Sequence, residues 1–189
     1  FVAKYYIIKN KKFNSIESET KSLLYLSEKI PYTFPTIKYF SEDLLITNYI
    51  EHNENKNDQY QDLLSKEVLK LHGINSNNYG FEFHSQIGGL KQDNSYNSDW
   101  VSFFGEQRFN MIFELINKNN IMPSDTNKLI EKLLKDLENR IPKNPKPSLL
   151  HGDLWEGNIL FHNNNFVGFI DPGIYFGHNE LELAYLTWF

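Results

Sequence analysis

The sequence has no cysteine. That excludes a disulfide scaffold, a Cys-ligated zinc centre and a thiol nucleophile. It fits a reducing compartment, and we expect a cytoplasmic protein. No apolar run approaches the roughly 18 residues of a membrane-spanning helix, and no basic-then-apolar segment resembles a secretion signal. A membrane partner is therefore not expected. Positive charge is in deficit, with 19 Lys and Arg against 24 Asp and Glu and a net charge of −5. A broad nucleic-acid footprint is excluded on that ground. A small anion gripped by one or two placed cations is not. There is no internal repeat, and nothing argues for a particular oligomeric state.

What is present is ordinary for a globular chain: 189 residues, 40% hydrophobic and 23% charged. A chain of this length buries roughly 70% of its unfolded surface, so a metal or disulfide staple is not required. Both ends are apolar, from Phe1 to Ile8 and from Leu181 to Phe189. Natural termini are usually polar and loosely held. We therefore read the sequence as a piece of a longer protein.

The first fifty residues read as strand, helix, strand, strand. Phe1 to Ile8 is β-branched and aromatic, and Ser15 to Leu26 is helical, with Ser15 as its cap and Ile16, Leu23 and Leu26 on its apolar face. Thr36 to Phe40 and Leu44 to Ile50 are short strands around a Ser41-Glu42-Asp43 turn. A polar linker, Glu51 to Asp58, follows. Gln59 to Leu71 is helical and closes on Gly73 as its C′ residue. Asn75 to Ser98 reads as loop. Trp100 to Ile116 is one helix capped by Asn97 or Ser98, with Trp100, Phe103, Phe104 and Phe109 as core, and Ser124 to Leu137 is another. The proline-rich stretch from Pro142 to Pro147 breaks the pattern.

The segment with chemistry comes next: His151-Gly152-Asp153-Leu154-Trp155-Glu156-Gly157-Asn158, an apolar run to Phe161, an Asn163-Asn164-Asn165 turn, a second apolar run to Ile170, then Asp171-Pro172-Gly173. The two runs read as a β-hairpin. With its turn centred on Asn164, antiparallel pairing sets Asn158 beside Asp171, and cross-strand Cβ atoms lie about 4.5–5.5 Å apart. Two oxygen ligands at that spacing can share one Mg²⁺, which completes its shell with waters and phosphate oxygens. Asp153 lies in the same loop and is placed to take a proton from an acceptor hydroxyl. An acid, an Asn four or five residues later and a metal-binding Asp beyond a hairpin form the arrangement of kinases. Singly, each of these residues is a common turn former; the combination is far more specific.

The loop from His151 to Asn158 resembles that of aminoglycoside-phosphotransferase-type small-molecule kinases. Trp155 narrows the resemblance, as does Asp171-Pro172-Gly173-Ile174-Tyr175-Phe176-Gly177-His178-Asn179-Glu180-Leu181-Glu182-Leu183-Ala184. Both resemble the fructosamine kinase (ketosamine-3-kinase) family. Leu71-His72-Gly73, Tyr79-Gly80-Phe81, Gln92-Asp93-Asn94 and Trp100 to Phe104 with Arg108 agree with it. The resemblance implies an α+β, two-lobed, protein-kinase-like fold. Residues 1–50 would form an incomplete β-rich lobe and residues 51–189 a helical lobe. It implies ATP and Mg²⁺, with Asp153 as the catalytic acid–base group and Asn158 and Asp171 on the metal. Lys4 would grip the α- and β-phosphates, with Lys9 as the alternative register. Glu19, or the nearby Glu17, would pair with that lysine. The backbone around Asn48 and Ile50 would bond adenine, with Asn48 standing where the family commonly has an acid.

His178 has two readings: it braces the turn after Asp171 or, by resemblance, bonds the substrate. Trp155 either packs or shapes the acceptor pocket. His151 reads as a brace for the loop. The implied acceptor is a sugar hydroxyl of a ketosamine, free or on a protein lysine, phosphorylated as a step in deglycation. Another acceptor of aminoglycoside or choline type, or a non-catalytic nucleotide-binding module, are the alternatives. The family also has a Gly-rich loop before the lysine strand and helices beyond the Leu-Ala block. We therefore expect the 189 residues alone to be slow or inactive, and assign activity to the intact protein.

Overall fold

The computed structural model describes all residues except 7–12, 54, 56, 121, 188 and 189. Strand β1 is Val2–Tyr5, and it is followed by helix α1, Ser15–Lys29. The Ile7–Ile8 part of the expected strand and the alternative Lys9 lie outside the described residues. Asn14, not Ser15, caps α1: its side-chain oxygen accepts from the N–H groups of Ile16 and Glu17. Such a cap satisfies two of the donors a helix start leaves unpaired. Ile16, Leu23 and Leu26 are buried as expected, and Pro31 follows the cap residue Ile30.

Strands β2 (Ile37–Phe40) and β3 (Leu44–Thr47) complete an antiparallel sheet in the order β1-β3-β2. Lys4 stands opposite Leu45, and α1 packs on β2 and β3. This sheet and helix place Lys4 and Glu19 on neighbouring elements.

Helix α2, Tyr60–His72, ends at Gly73, whose φ of −70° is helical. Gly73 is the cap residue itself rather than the C′ residue beyond it, and its N–H still bonds Leu69 O. The stretch read as loop holds a hairpin, β4 (Ser85–Ile87) with β5 (Leu90–Gln92). Its two turn residues, Gly88 and Gly89, both have positive φ, as the favoured two-residue hairpin turn requires. The expected single helix from Trp100 is three pieces. These are α3 (Trp100–Phe104), a π-helical stretch (Gly105–Asn110) and α4 (Met111–Asn119). Its cap is Asp99, which accepts from Ser102 N–H at 2.7 Å. In the widened turns Arg108 points inward, with its guanidinium 4.0 Å from the Tyr175 ring centre. Helix α5, Ser124–Lys135, has no buried residue, and Leu137 is buried in the short turn beyond it.

The remaining elements carry the catalytic-loop sequence: β6 (Ser148–Leu150), β7 (Ile159–His162), β8 (Asn165–Phe169), β9 (Tyr175–Gly177) and α6 (Asn179–Tyr185). β6 pairs with β9 and β7 with β8, all antiparallel. Leu149, Leu150, Leu154, Phe161, Phe169, Ile174 and Tyr175 are almost fully buried. The loop from His151 to Asn158 is thus anchored at both ends in the core. Among the described residues no helix is long and apolar enough to cross a membrane.

Candidate functional site

The loop after β6 bends sharply at Gly152, whose φ is +85°. A Cβ there would stand 2.1 Å from the carbonyl oxygen of Gly173. Only glycine permits both the torsion and that approach. Two remote backbone segments therefore meet just before Asp153.

His151 holds them together. Its ring is fully buried, and Nε2 donates to Ile170 O at 2.9 Å. Its Nδ1 accepts the Asp153 N–H, while its carbonyl accepts the Gly173 N–H. One histidine thus touches the chain on both sides of Asp171 and at Asp153. Burial lowers its pKa, which keeps the ring neutral, as this donor–acceptor pattern demands. The bracing role read from the sequence fits this geometry.

Asn158 points its side-chain N–H groups at Asp153, at 2.7 Å from the carbonyl and 3.4 Å from the carboxylate. That leaves its amide oxygen as the group able to meet a cation. Burial raises the pKa of Asp153, the Asn158 contact partly offsets this, and the charge of Asp171 raises it further. The hairpin beyond differs from the expected register by one residue. The turn is two residues, Asn163 and Asn164, both at positive φ, and a bulge leaves Val167 without a partner. Ile170 rather than Asp171 therefore lies opposite Asn158, and the Ile170 N–H bonds Asn158 O at 3.0 Å. Asp171 follows as the next residue, with φ of +56°. A left-handed, non-glycine residue costs of order 1–3 kcal/mol and persists only where its surroundings enforce it.

On the other wall, Lys4 donates to Glu19 at 2.7 Å and also to Asp171. Burial opposes the Lys4 charge, but the two carboxylates outweigh it and raise its pKa. Burial raises the pKa of Glu19, with Lys4 working against the rise. Glu17 pairs with Lys21 on the helix surface instead. Lys4, Glu19, Asn48, Ile50 and Asp171 line one cavity of about 210 Å³. Tyr49 and His52 line it too, although no motif singled them out. The Asn48 N–H is already bonded to Thr36 O, so the Asn48 carbonyl and the Ile50 N–H are the backbone groups open to an adenine edge. A larger, mainly apolar cavity of about 560 Å³ lies between α2, β7 and α6. It lacks a lysine or an aspartate, whereas the smaller cleft holds Lys4, Glu19 and Asp171.

The structure does not gather every expected residue into that cleft: Asp153, Asn158, His178 and Trp155 are not among its lining residues. His178 precedes α6, packs edge-on against Trp100 at 6.0 Å and is largely covered. Burial lowers its pKa, with Glu180 opposing. Trp155 is partly exposed and lies over Gly157, where a Cβ would come within 2.3 Å of its ring. Glu182 was missed as a contributor: it bonds the Gly152 N–H and the His72 ring. Its partners are 30 and 110 residues away in the chain, a separation that leaves no local signal.

The donor set fits a magnesium ion. An amide oxygen from Asn158 and a carboxylate from Asp171 are hard oxygen ligands, and such a site relies on waters and phosphate oxygens for the rest. Among the described residues no cluster of three or more His, Asp or Glu forms a metal cage.

The chain is 32% identical over 149 residues to an Arabidopsis thaliana protein named protein-ribulosamine 3-kinase, chloroplastic, covering 76% of this chain and 44% of that protein. It is 31% identical over 181 residues to an Enterococcus faecium protein described as a ketoamine kinase, covering 93% of this chain and 63% of the other. It thus spans about half the length of these relatives. A crystal structure from Thermobifida fusca, described as a fructosamine-3-kinase, superposes with a TM-score of 0.84 at 23% identity. It covers 98% of this chain and 64% of its own. An ADP-bound aminoglycoside phosphotransferase superposes at 0.58 with 19% identity, covering 96% of this chain and 69% of its own. The fold is therefore the α+β, protein-kinase-like fold expected from the sequence. A sequence model described as "Fructosamine kinase" matches residues 3–189, and the chain belongs to the fructosamine kinase family.

Proposed function

We propose that the full-length protein is an ATP- and Mg²⁺-dependent phosphotransferase acting on a sugar hydroxyl of a ketosamine. Such a reaction would take place in the cytoplasm, on a free or protein-bound adduct, as a step in deglycation. Residues 1–50 would serve as the nucleotide lobe and 51–189 as the helical lobe. The observation that carries the reading is the meeting of two sets. Lys4, Glu19 and Asp171 line one cleft, and Asn158, which bonds Asp153, is joined through its carbonyl to the N–H of Ile170, the residue before Asp171.

In this reading Lys4 holds phosphate oxygens, with Glu19 fixing its ammonium. The Asn48 carbonyl and Ile50 N–H take adenine. Asn158 and Asp171 hold the magnesium, which supplies neutralisation of phosphate charge when bound. Asp153 orients the acceptor hydroxyl and takes its proton as the oxygen bonds to the γ-phosphorus and the bond to the β-phosphate oxygen breaks. Most of the rate then comes from positioning and charge stabilisation rather than from covalent chemistry. Trp155, beside the loop and partly exposed, is a wall for the acceptor. His178, turned onto the core residue Trp100 and largely covered, packs rather than reaching the substrate.

The test uses the full-length protein with ATP, Mg²⁺ and either fructosyl-lysine, ribulosyl-lysine or kanamycin. Phosphorylation of a ketosamine, lost in Asp153→Asn, is the expected result. Transfer only to kanamycin would move the acceptor class, and transfer that persists in Asp153→Asn would overturn the mechanism.

A further inference from the structure

A buried side-chain amide can join several segments at once, because it carries donors and an acceptor on one rigid plane. Asn94, two residues beyond β5, is 0% exposed. Its Nδ2 donates to Phe83 O at 3.0 Å, to Ser85 Oγ at 3.0 Å and to Ile174 O at 3.3 Å. Its Oδ1 accepts from Arg108 Nη2 at 2.6 Å. A guanidinium only donates, so the amide cannot sit the other way round. Arg108 is itself buried. Its Nη1 donates to Asp93 O at 2.7 Å, and its guanidinium lies over the Phe103 and Tyr175 rings. Arg108 thus sets the direction in which Asn94 donates.

The hairpin held in this way reaches two elements of the cleft. On one side, the Gln86 carbonyl oxygen lies against Gly173, where a Cβ would come within 2.2 Å of it. Gly173 and Ile174 are the second and third residues after Asp171. On the other side, α1 packs on β4, and Ser18 Oγ donates to His84 O at 3.1 Å. Ser18 is buried and immediately precedes Glu19. One hairpin therefore touches the residue before Glu19 and the residues just beyond Asp171. These are the two acids that share Lys4. Neither Asn94 nor Arg108 lines the cleft, so their influence on it passes through the backbone.

We propose that Asn94, oriented by Arg108, is a positioning residue for Asp171 and Glu19. By tying the β4–β5 hairpin to Ile174 O, it seats the Asp171 segment and the first turns of α1 on one support. The spacing of the two acids is then fixed before any ligand arrives. The effect on metal binding rests on the reading of Asp171 as a magnesium ligand, and the test separates the two.

The test uses the full-length protein. Asn94→Leu removes every bond of the amide. Asn94→Asp keeps an acceptor for Arg108 but turns an oxygen toward Phe83 O and Ile174 O. A residue needed only to satisfy the buried guanidinium is well replaced by aspartate; a residue needed to hold Ile174 O is not. Hydrogen exchange without ligand reads the Gly173 N–H, held by His151 O, the Phe176 N–H, held by Gly80 O, and residues 19–23 of α1. Both segments should exchange about 10-fold faster or more in both variants, as expected when a buried acceptor loses its donor. Exchange in α2 should stay unchanged. Calorimetry of ADP binding should show the half-saturating Mg²⁺ concentration raised by about 10-fold, the low end for groups that orient metal ligands. If neither variant folds, Ser18→Ala carries the exchange test, with both segments faster by about 2- to 10-fold, the worth of one hydrogen bond. Unchanged exchange, acceleration in one segment alone or spread to α2, an aspartate variant that behaves as wild type, or an unchanged Mg²⁺ half-saturation overturns the proposal. Exchange needs neither metal nor acceptor. A wild-type protein whose ADP binding ignores Mg²⁺ would therefore overturn the functional reading and the metal half of this inference, while exchange still decides the positioning half.

Discussion

The two sides of the candidate site are held by different forces. On the Lys4 side, β1, α1 and Asp171, two residues beyond β8, meet through charge: Lys4 bridges Glu19 and Asp171. On the catalytic-loop side, His151, Asn158 and Glu182 hold the chain through directional hydrogen bonds to backbone groups. Charge tolerates displacement, whereas a hydrogen bond weakens steeply as its angle opens. In the proposed function Lys4 would therefore exchange Asp171 for phosphate oxygens without rebuilding its surroundings, while Asp153 would keep a fixed aim. One side would rearrange on binding and the other stay.

The sharpest way to break that contrast is Asp153→Asn. We expect kcat to fall by about 10²–10⁴-fold, the usual worth of a general base, with ADP affinity by calorimetry unchanged. Loss of ADP binding would show that the two walls are one unit. Next in size is Lys4→Met, expected to weaken ADP binding by roughly 10- to 100-fold, since a hydrogen bond to a charged group contributes about 1.5–3 kcal/mol. Its binding should also lose its sensitivity to salt, because screening acts on the charge-held wall. Gly152→Ala addresses the other wall. The φ of +85° and the 2.1 Å approach to Gly173 O predict a destabilisation of at least about 1–3 kcal/mol, read as a lower denaturant midpoint.

The smallest effect is on pH dependence. Asp153 works as a base only when ionised, and burial raises its pKa. Activity is therefore lost as pH falls through a value above that of an ordinary aspartate. The acid limb of kcat/KM should lie there, and a limb at the ordinary position would show that Asp153 is solvated in the working enzyme.

How much of this was readable in the chain depended on distance along it. The loop from His151 to Asn158 and the acid at Asp171 lie within one supersecondary unit, and their spacing pointed to kinase chemistry. Lys4 and Glu19 were legible only through family resemblance, since nothing local distinguishes Glu19 from Glu17. The hairpin register was off by one place, because a two-residue turn and an unpaired Val167 shift the count, and a bulge has no reliable local signature. The β4–β5 hairpin was read as loop because its strands are three residues each, although Gly88-Gly89 between Ile87 and Leu90 is a hairpin signal. The π-helical turns around Arg108 are set by tertiary contacts with Tyr175 and Asp93, which periodicity does not encode.

Trp155 gives the site a built-in optical reporter. Its indole rests on Gly157, within the loop that carries both Asp153 and Asn158, and is 37% exposed, whereas Trp100 is 2% exposed in the core. The third tryptophan, Trp188, lies outside the described residues; in a Trp188→Phe background, fluorescence quenching by acrylamide will therefore sample the indole over Gly157 far more than the core one. A ligand that covers that indole can then be followed by light, without a label and without turnover.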